Sequence, residues 1–222
     1  RSINMFYGYG GQLVDENNMP TVDNEAGIKA LETMKAITAY LDPEYLVSDS
    51  TYVQQQFQQG KIAMANFWAS RAGAADVEGE SQVVGLVETA AAPRAVPDGP
   101  PATTIWWDGL VIARNISDAQ AEAAFKLIVA GLSPEMVKAN NGAAIWLIPG
   151  YEPTRLAKGA IDTLNAQPPA AAYPSTTAMG LMHTALGNNV SDFLTGARDA
   201  RATLAGIEAD YTTSAKEAGL IR

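Results

Sequence analysis

Apolar residues recur at helical spacing over much of the chain. In NEAGIKALETMKAITAYL they fall every three or four residues, which predicts an amphipathic helix that ends before an Asp-Pro pair. TYVQQQFQQG predicts a second helix that Gly60 closes. Ser117 and Gln120 form a capping-box pattern before DAQAEAAFKLIVAGL, and Ser133 opens a further helix.

The last third of the chain continues this helical pattern. RLAKGAIDTLN and MGLMHTALGNNV predict helices, and VSDFLTGARDARATLAGIEADYTTSAKEA predicts one long amphipathic helix. The first residues, MFYGYGG, predict instead a Gly-rich bend that follows aromatic residues.

Shorter apolar stretches alternate with the helices. KIAMANFW and WDGLVIAR predict buried strands, and SQVVGLVETAAAP and AAIWLIPGYEPT predict two more. Strands that alternate with helices predict an α/β class, with a sheet covered on both faces.

Composition narrows the classes of function. The chain has 222 residues, 47% of them hydrophobic, which suffices for one large domain or two lobes. A formal net charge of −9 without a Lys/Arg cluster argues against nucleic acid and anionic membranes as partners. Cysteine is absent and His183 is the single histidine, which excludes thiolate and multi-His metal sites and disfavours a Ser-His-Asp triad. We expect neither a metal nor a cofactor.

Tryptophans beside polar side chains are the candidate binding chemistry. A sugar has an apolar face that an aromatic ring covers, and hydroxyl groups that carboxylates and amides bind. In TTIWWDGL, strand alternation sends Trp106 and Asp108 to one face and Trp107 to the other. We expect Asp108 to bind ligand hydroxyls and at least one tryptophan to be a stacking platform. The alternative is that one ring lies in the core and Asp108 caps a bend.

The order of segments resembles the family 1 extracellular solute-binding proteins, which are maltose-binding-protein-like components of ABC sugar importers. GGQLVDENNMPTVDNEAGIKALETMK, QQFQQGKIAMANFW and SDAQAEAAFKLIVAGLSPEMVKANNGAAIWLIP carry the resemblance, which runs from about Phe6 to the C-terminus. It implies the type II periplasmic-binding-protein fold, with two α/β lobes around a ligand cleft. Residues 1–106 and 152–222 would form the second, C-terminal lobe. Residues 109–150 would be a return segment in the first lobe and hinge, so that most of the N-terminal lobe would be absent.

The resemblance implies a binding function rather than catalysis. The protein would capture a small carbohydrate or sugar alcohol, close by hinge bending, and deliver the ligand to an ABC permease in the inner membrane. Its location would be periplasmic or extracellular, with the signal peptide absent from this chain. Two alternatives stay open. One is a glycosidase-like enzyme, which needs two carboxylates about 5–9.5 Å apart. The other is a binding protein for another solute, such as a polyamine or a peptide.

The resemblance also implies particular ligand contacts. Trp68 stands where the family places a stacking tryptophan, unless it is a core residue, and Gln12 matches a position that reaches the cleft. Met179 replaces an aromatic contact of the relatives. Where relatives carry small residues that let the backbone approach the ligand, this chain has its two adjacent tryptophans. The remaining candidates, each with a structural alternative, are Gly109, Asn66, Arg71, Tyr9 and Trp146. Tyr173 is a further cleft candidate, and we expect His183 to be a structural residue.

Overall fold

The computed structural model describes residues 2–222, which are mainly helical. The α-helices are α1 (Ser2–Gly8), α2 (Glu25–Ile37), α3 (Ser50–Gln58), α4 (Asp118–Gly131), α5 (Pro134–Ala139), α6 (Lys158–Leu164), α7 (Thr177–Thr195) and α8 (Ala200–Glu217). Short 3-10 segments occupy Thr38–Tyr40, Ala69–Asp76, Asn141–Ala143 and Arg155–Ala157. Strands β1 (Thr104–Ile105) and β2 (Ala171–Ala172) pair in parallel. No helix within residues 2–222 combines the length and the apolar character needed to cross a bilayer.

Side-chain caps begin and end the helices where the sequence predicts. Asn24 Oδ1 accepts the Gly27 N–H at 3.0 Å at the start of α2. The predicted capping box precedes α4: the Gln120 N–H donates to Ser117 Oγ at 3.3 Å, and the Ser117 N–H donates to Gln120 Oε1 at 3.1 Å. Gly60 follows α3 with a φ of 66°, in the left-handed region that glycine adopts at little cost. The predicted capping box and the predicted helix end at Gly60 are confirmed, whereas the Asn24 cap was not predicted.

The residues group into two compact units. Unit 1 comprises Arg1–Val47, Ala92–Trp106 and Thr163–Arg222, and unit 2 comprises Ser48–Ala91 and Trp107–Asp162. Unit 2 therefore joins residues 48–91, which the sequence analysis assigned to the second lobe, with residues 107–162. The predicted lobe boundaries stay a prediction, because compact units of this chain and lobes of the family fold are different divisions.

Unit 1 has a helical core formed by α1, α2, α7 and α8. The apolar faces of these amphipathic helices meet there, and residues such as Phe6, Leu31, Met182 and Ile207 are buried. Tyr211 is also fully buried, and its hydroxyl donates to a backbone carbonyl oxygen at 2.8 Å. Full burial of one apolar side chain contributes about 1.5–3 kcal/mol, so this core is the main stabilising feature of unit 1.

The predicted long C-terminal helix is instead two helices. Gly196 follows α7 with a φ of 86°, and Asp199 caps α8 by accepting the Ala202 N–H at 2.8 Å. Glycine favours a helix end and aspartate a helix start, so local chemistry interrupts a continuous apolar periodicity. The predicted Gly-rich bend is present as a turn in which Gly10 has a φ of 79°, but the helix α1 that precedes it was not predicted.

The predicted strands are wrong as regular structure. KIAMANFW, SQVVGLVETAAAP, WDGLVIAR and AAIWLIP contain no strand residues. A strand needs a neighbour that exchanges backbone hydrogen bonds with it, and the described part of the chain supplies no such neighbour for these segments. Their apolar side chains are correspondingly open to water; Met64 is 88% and Val111 is 90% exposed.

Candidate functional site

A cavity of about 350 Å³ lies in unit 1. The loop after α1, the segment before α7 and the first turns of α7 line it. Its lining residues are Tyr7, Gln12, Leu13, Val14, Asp15, Glu16, Pro174, Thr176, Met179 and Met182. The cavity thus brings together two residues predicted from the sequence, Gln12 and Met179, although they are far apart along the chain.

Local backbone structure positions the polar groups of the lining. Asp15 Oδ1 accepts the N–H groups of Asn17 and Met19, both at 2.8 Å, which holds the turn at the cavity wall. Thr176 is the N-cap of α7, and its Oγ1 accepts the Met179 N–H at 3.3 Å. A carboxylate and a hydroxyl are therefore held in place by the same bonds that shape the two walls.

The cavity has an apolar floor and a polar rim. Met179 and Met182 are buried and belong to the core of unit 1, whereas Gln12 and Glu16 are exposed. The lining contains two carboxylates, one side-chain amide and two hydroxyls, and it contains neither lysine nor arginine. Such a surface suits a ligand with an apolar face and hydroxyl groups, and it disfavours an anion.

Two aromatic rings stack because of the β1–β2 register, and one of them, Tyr173, directly precedes Pro174 of the cavity lining. Thr104 and Ile105 pair with Ala171 and Ala172, so the next residue of each strand, Trp106 and Tyr173, also stand opposite each other. Their ring centroids are 3.7 Å apart and the ring planes differ by 24°. The stack is a consequence of pairing between two distant segments.

A hydrogen bond extends this stack to α7. The Tyr173 hydroxyl lies 2.7 Å from His183 Nδ1. We call Trp106, Tyr173 and His183 the aromatic row. On the other side, Trp106 Nε1 donates to Thr104 Oγ1 at 3.0 Å.

Burial shifts the pKa values of three side chains in and near the aromatic row. Burial raises the pKa of Tyr7, and the nearby Tyr173 raises the pKa of Tyr7 further. Burial also raises the pKa of Tyr173 and lowers the pKa of His183 from its usual value. The phenols and the imidazole therefore stay neutral near pH 7, as hydrogen-bonding groups that suit an uncharged ligand.

Three other predicted residues have structural partners. The Tyr9 hydroxyl shares a 2.6 Å hydrogen bond with Thr33 Oγ1, which ties α1 to α2 in unit 1. In unit 2, Arg71 Nη1 donates to the side-chain oxygen of Gln54 at 2.9 Å. Trp146 Nε1 donates to a backbone carbonyl at 3.1 Å. These contacts give each of the three side chains a structural partner, and their roles as ligand contacts stay predictions.

The chain passes from unit 1 to unit 2 between Trp106 and Trp107. The two adjacent tryptophans consequently have different environments: Trp106 is 42% exposed and stacked, whereas Trp107 is 74% exposed. The Trp107 ring lies over Gly109, where an added Cβ would be 2.8 Å from it. Asp108 is exposed.

The other two candidates of unit 2 come before its Ala69–Asp76 segment. Trp68 is 48% exposed and Asn66 is exposed. As ligand contacts, the unit 2 candidates stay predictions.

Sequence reasoning missed several residues of the cavity. Asp15 and Glu16 belong to DENNMP, whose pattern indicates only a solvated turn. Thr176 had a detectable signal, since a threonine before an apolar helical pattern is a preferred N-cap. Nothing in the local pattern of either segment indicated that this turn and this cap lie against one cavity.

Comparisons with known proteins agree with the fold. A family model described as bacterial extracellular solute-binding protein matches residues 2–138. The chain matches no curated protein sequence. The maltose-bound MalE3 of T. maritima is similar, with a TM-score of 0.74 and 18% identity, over 96% of this chain and 56% of that one. A ribitol-bound ABC transporter solute-binding protein of Agrobacterium radiobacter K84 has a TM-score of 0.73 and 22% identity, over 96% and 55%.

The chain thus spans just over half the length of these two structures. The likeness confirms the predicted type II periplasmic-binding-protein fold class, of which this chain represents a part. Its strand content within residues 2–222 is smaller than the sequence pattern predicts.

Proposed function

Because this chain belongs to the bacterial extracellular solute-binding protein family, we propose that it is the substrate-binding component of an ABC transporter. Its ligand is a small carbohydrate or sugar alcohol. The cavity of unit 1 carries this proposal: it is lined by hydroxyl, amide and carboxylate groups without a cation. Its lining residue Pro174 directly follows Tyr173 of the stacked aromatic pair. The maltose and ribitol in the two similar structures support the same ligand class.

The size of the cavity favours a small ligand. About 350 Å³ is at the lower end of the range of about 300–1,000 Å³ that ligand pockets occupy. A monosaccharide, a disaccharide or a polyol fits this volume better than a longer oligosaccharide. Met179 and Met182 form an apolar surface for the C–H groups, while Gln12 and Asp15 bind hydroxyls.

Binding alone accounts for the proposed role, and no covalent bond of the ligand is broken. The family is one of binding proteins. In the transport cycle the protein binds its ligand outside the cytoplasmic membrane, in the periplasm or the extracellular space. It then delivers the ligand to the permease of the importer.

Isothermal titration calorimetry with the full-length protein tests the proposal. Glucose, maltose and ribitol are the probes, and putrescine and a tripeptide represent the other solutes. We expect saturable binding of at least one sugar or polyol, weakened by Gln12→Ala and unchanged by Gln55→Ala, which alters an exposed glutamine of unit 2. The absence of measurable binding to any of the sugars and polyols would contradict the proposal. Hydrolysis of a chromogenic glycoside would favour the enzyme alternative.

A further inference from the structure

The single histidine of the chain lies at the end of the aromatic row. His183 follows Met182, which is completely buried in the core, so the backbone of α7 holds this position firmly. The imidazole extends from α7 towards Tyr173, and its Nδ1 lies 2.7 Å from the phenol oxygen. The ring centroids of Tyr173 and His183 are 5.8 Å apart with planes tilted by 34°, so this contact runs through the hydrogen bond rather than through a stack.

We propose that His183 is a positioning residue for ligand binding, which fixes the Tyr173 phenol and thereby holds the Trp106–Tyr173 stack beside the cavity. This inference rests on the proposed function and adds to it, because it assigns a binding role to a residue that does not line the cavity. Tyr173 directly precedes Pro174, which lines the cavity, and in this proposal it is the member of the row that contacts ligand.

Two hydrogen bonds hold Tyr173, one at its backbone and one at its phenol oxygen, and together they set the orientation of the ring. At its backbone end, the Tyr173 N–H donates to the Ile105 carbonyl at 3.0 Å. At its far end, the hydroxyl is bonded to His183. With the axis of the ring fixed at both ends, the indole of Trp106 has a stationary surface against which to stack at 3.7 Å.

A fixed aromatic surface improves binding because the ordering of the ring is complete before the ligand arrives. Immobilising a side chain on binding costs about 0.5–1.5 kcal/mol, and a pre-organised ring avoids that cost. The site needs this support because Trp106 directly follows a two-residue strand and is the last residue of unit 1 before the chain enters unit 2.

Nuclear magnetic resonance tests the positioning bond independently of any ligand. Because the chain has one histidine, its imidazole nitrogens give unambiguous signals. Long-range ¹H–¹⁵N spectra should show one dominant tautomer in the unaltered protein. Tyr173→Phe should shift the Nδ1 signal and mix the tautomers, whereas Asn188→Ala, on an exposed position of the same helix, should not. Identical histidine spectra with and without the phenol would overturn the inference.

Calorimetry with maltose and ribitol tests the consequence for binding. His183→Ala should weaken the affinity about fivefold, which corresponds to one net hydrogen bond. His183→Asn places an acceptor near the Nδ1 position and should recover the affinity to within about twofold. Combining His183→Ala with Tyr173→Phe should add little to either single change, because both break the same bond.

The outcomes separate the two proposals. If the unaltered protein binds neither these ligands nor any sugar or polyol, the proposed function fails and this inference fails with it. If it binds ligand and His183→Ala leaves the affinity unchanged, only the positioning role is overturned. A fall in Tm without a fall in affinity would assign His183 a purely structural role and would likewise refute the inference.

Discussion

Replacing Trp106 with alanine removes one ring of the stacked pair in unit 1. Trp106 is 42% exposed, and its centroid is 3.7 Å from that of Tyr173. A fully covered aromatic side chain buries about 150–250 Å², so roughly 100 Å² of this ring is protected from water. At about 25 cal/mol per Å², exposing that area costs about 2.5 kcal/mol, and loss of the stack adds about 0.5–1.5 kcal/mol. We expect Trp106→Ala to lower the free energy of unfolding by about 3–4 kcal/mol.

Trp107 provides a matched control, because it directly follows Trp106 and carries the same side chain. Trp107 is 74% exposed, and its ring lies over Gly109. By the same calculation roughly 50 Å² of Trp107 is covered, so Trp107→Ala should lower the free energy of unfolding by only about 1 kcal/mol. Guanidinium unfolding followed by circular dichroism measures both variants. A double-mutant cycle with Tyr173→Ala should give a coupling of about 0.5–1.5 kcal/mol for Trp106. Equal losses for the two tryptophans, or no coupling, would refute the reasoning.

Three further predictions concern packing, ligand binding and pH. Gly27→Ala should destabilise the protein by about 2 kcal/mol or more in the same unfolding assay, because its Cβ would lie 2.1 Å from the Val22 carbonyl oxygen. As a control, Gly180→Ala places a Cβ in open space on α7 and should stabilise the protein by about 0.5–1 kcal/mol. If Gly27→Ala were instead the more stable variant, the contact with the Val22 carbonyl oxygen would have to be relieved by a backbone shift. Gln12→Ala should leave stability unchanged, since Gln12 is exposed, and should weaken sugar binding about fivefold by calorimetry. Burial lowers the pKa of His183, so the unfolded chain binds the imidazole proton more readily than the folded protein does. The stability that depends on a neutral His183 is therefore complete above about pH 6.5 and is lost as the pH falls through the lower pKa of the folded state. His183→Asn should remove that part of the pH dependence of Tm, and an unchanged curve would contradict the assignment.

The helices were predictable because their signals are local. The capping box at Ser117 and Gln120 and the left-handed glycine at Gly60 each act within one or two turns of the chain. Spacing of apolar residues likewise requires only neighbouring positions. The break at Gly196 was missed because periodicity continues across it, and the cap at Asp199 was hidden within that pattern.

The candidate site was predictable only in part. Gln12 and Met179 came from a resemblance to a family, and the structure places both in one cavity. The cavity residues Asp15 and Thr176 belong to a turn and a helix cap whose local chemistry indicates no ligand. Their shared cavity depends on packing between segments that are distant in the sequence. The ligand roles of the unit 2 candidates stay predictions.

The sequence by itself determined the class of the fold, the end of α3, the start of α4 and the apolar faces that form the core of unit 1. Only the tertiary structure decided which apolar segments pair as strands, which of two adjacent tryptophans is stacked, and what the lone histidine contacts. The physical reason is that helix signals depend on residues three or four positions apart. The register of β1 with β2, and with it the pairing of Trp106 and Tyr173, depends instead on which distant segments fold against one another.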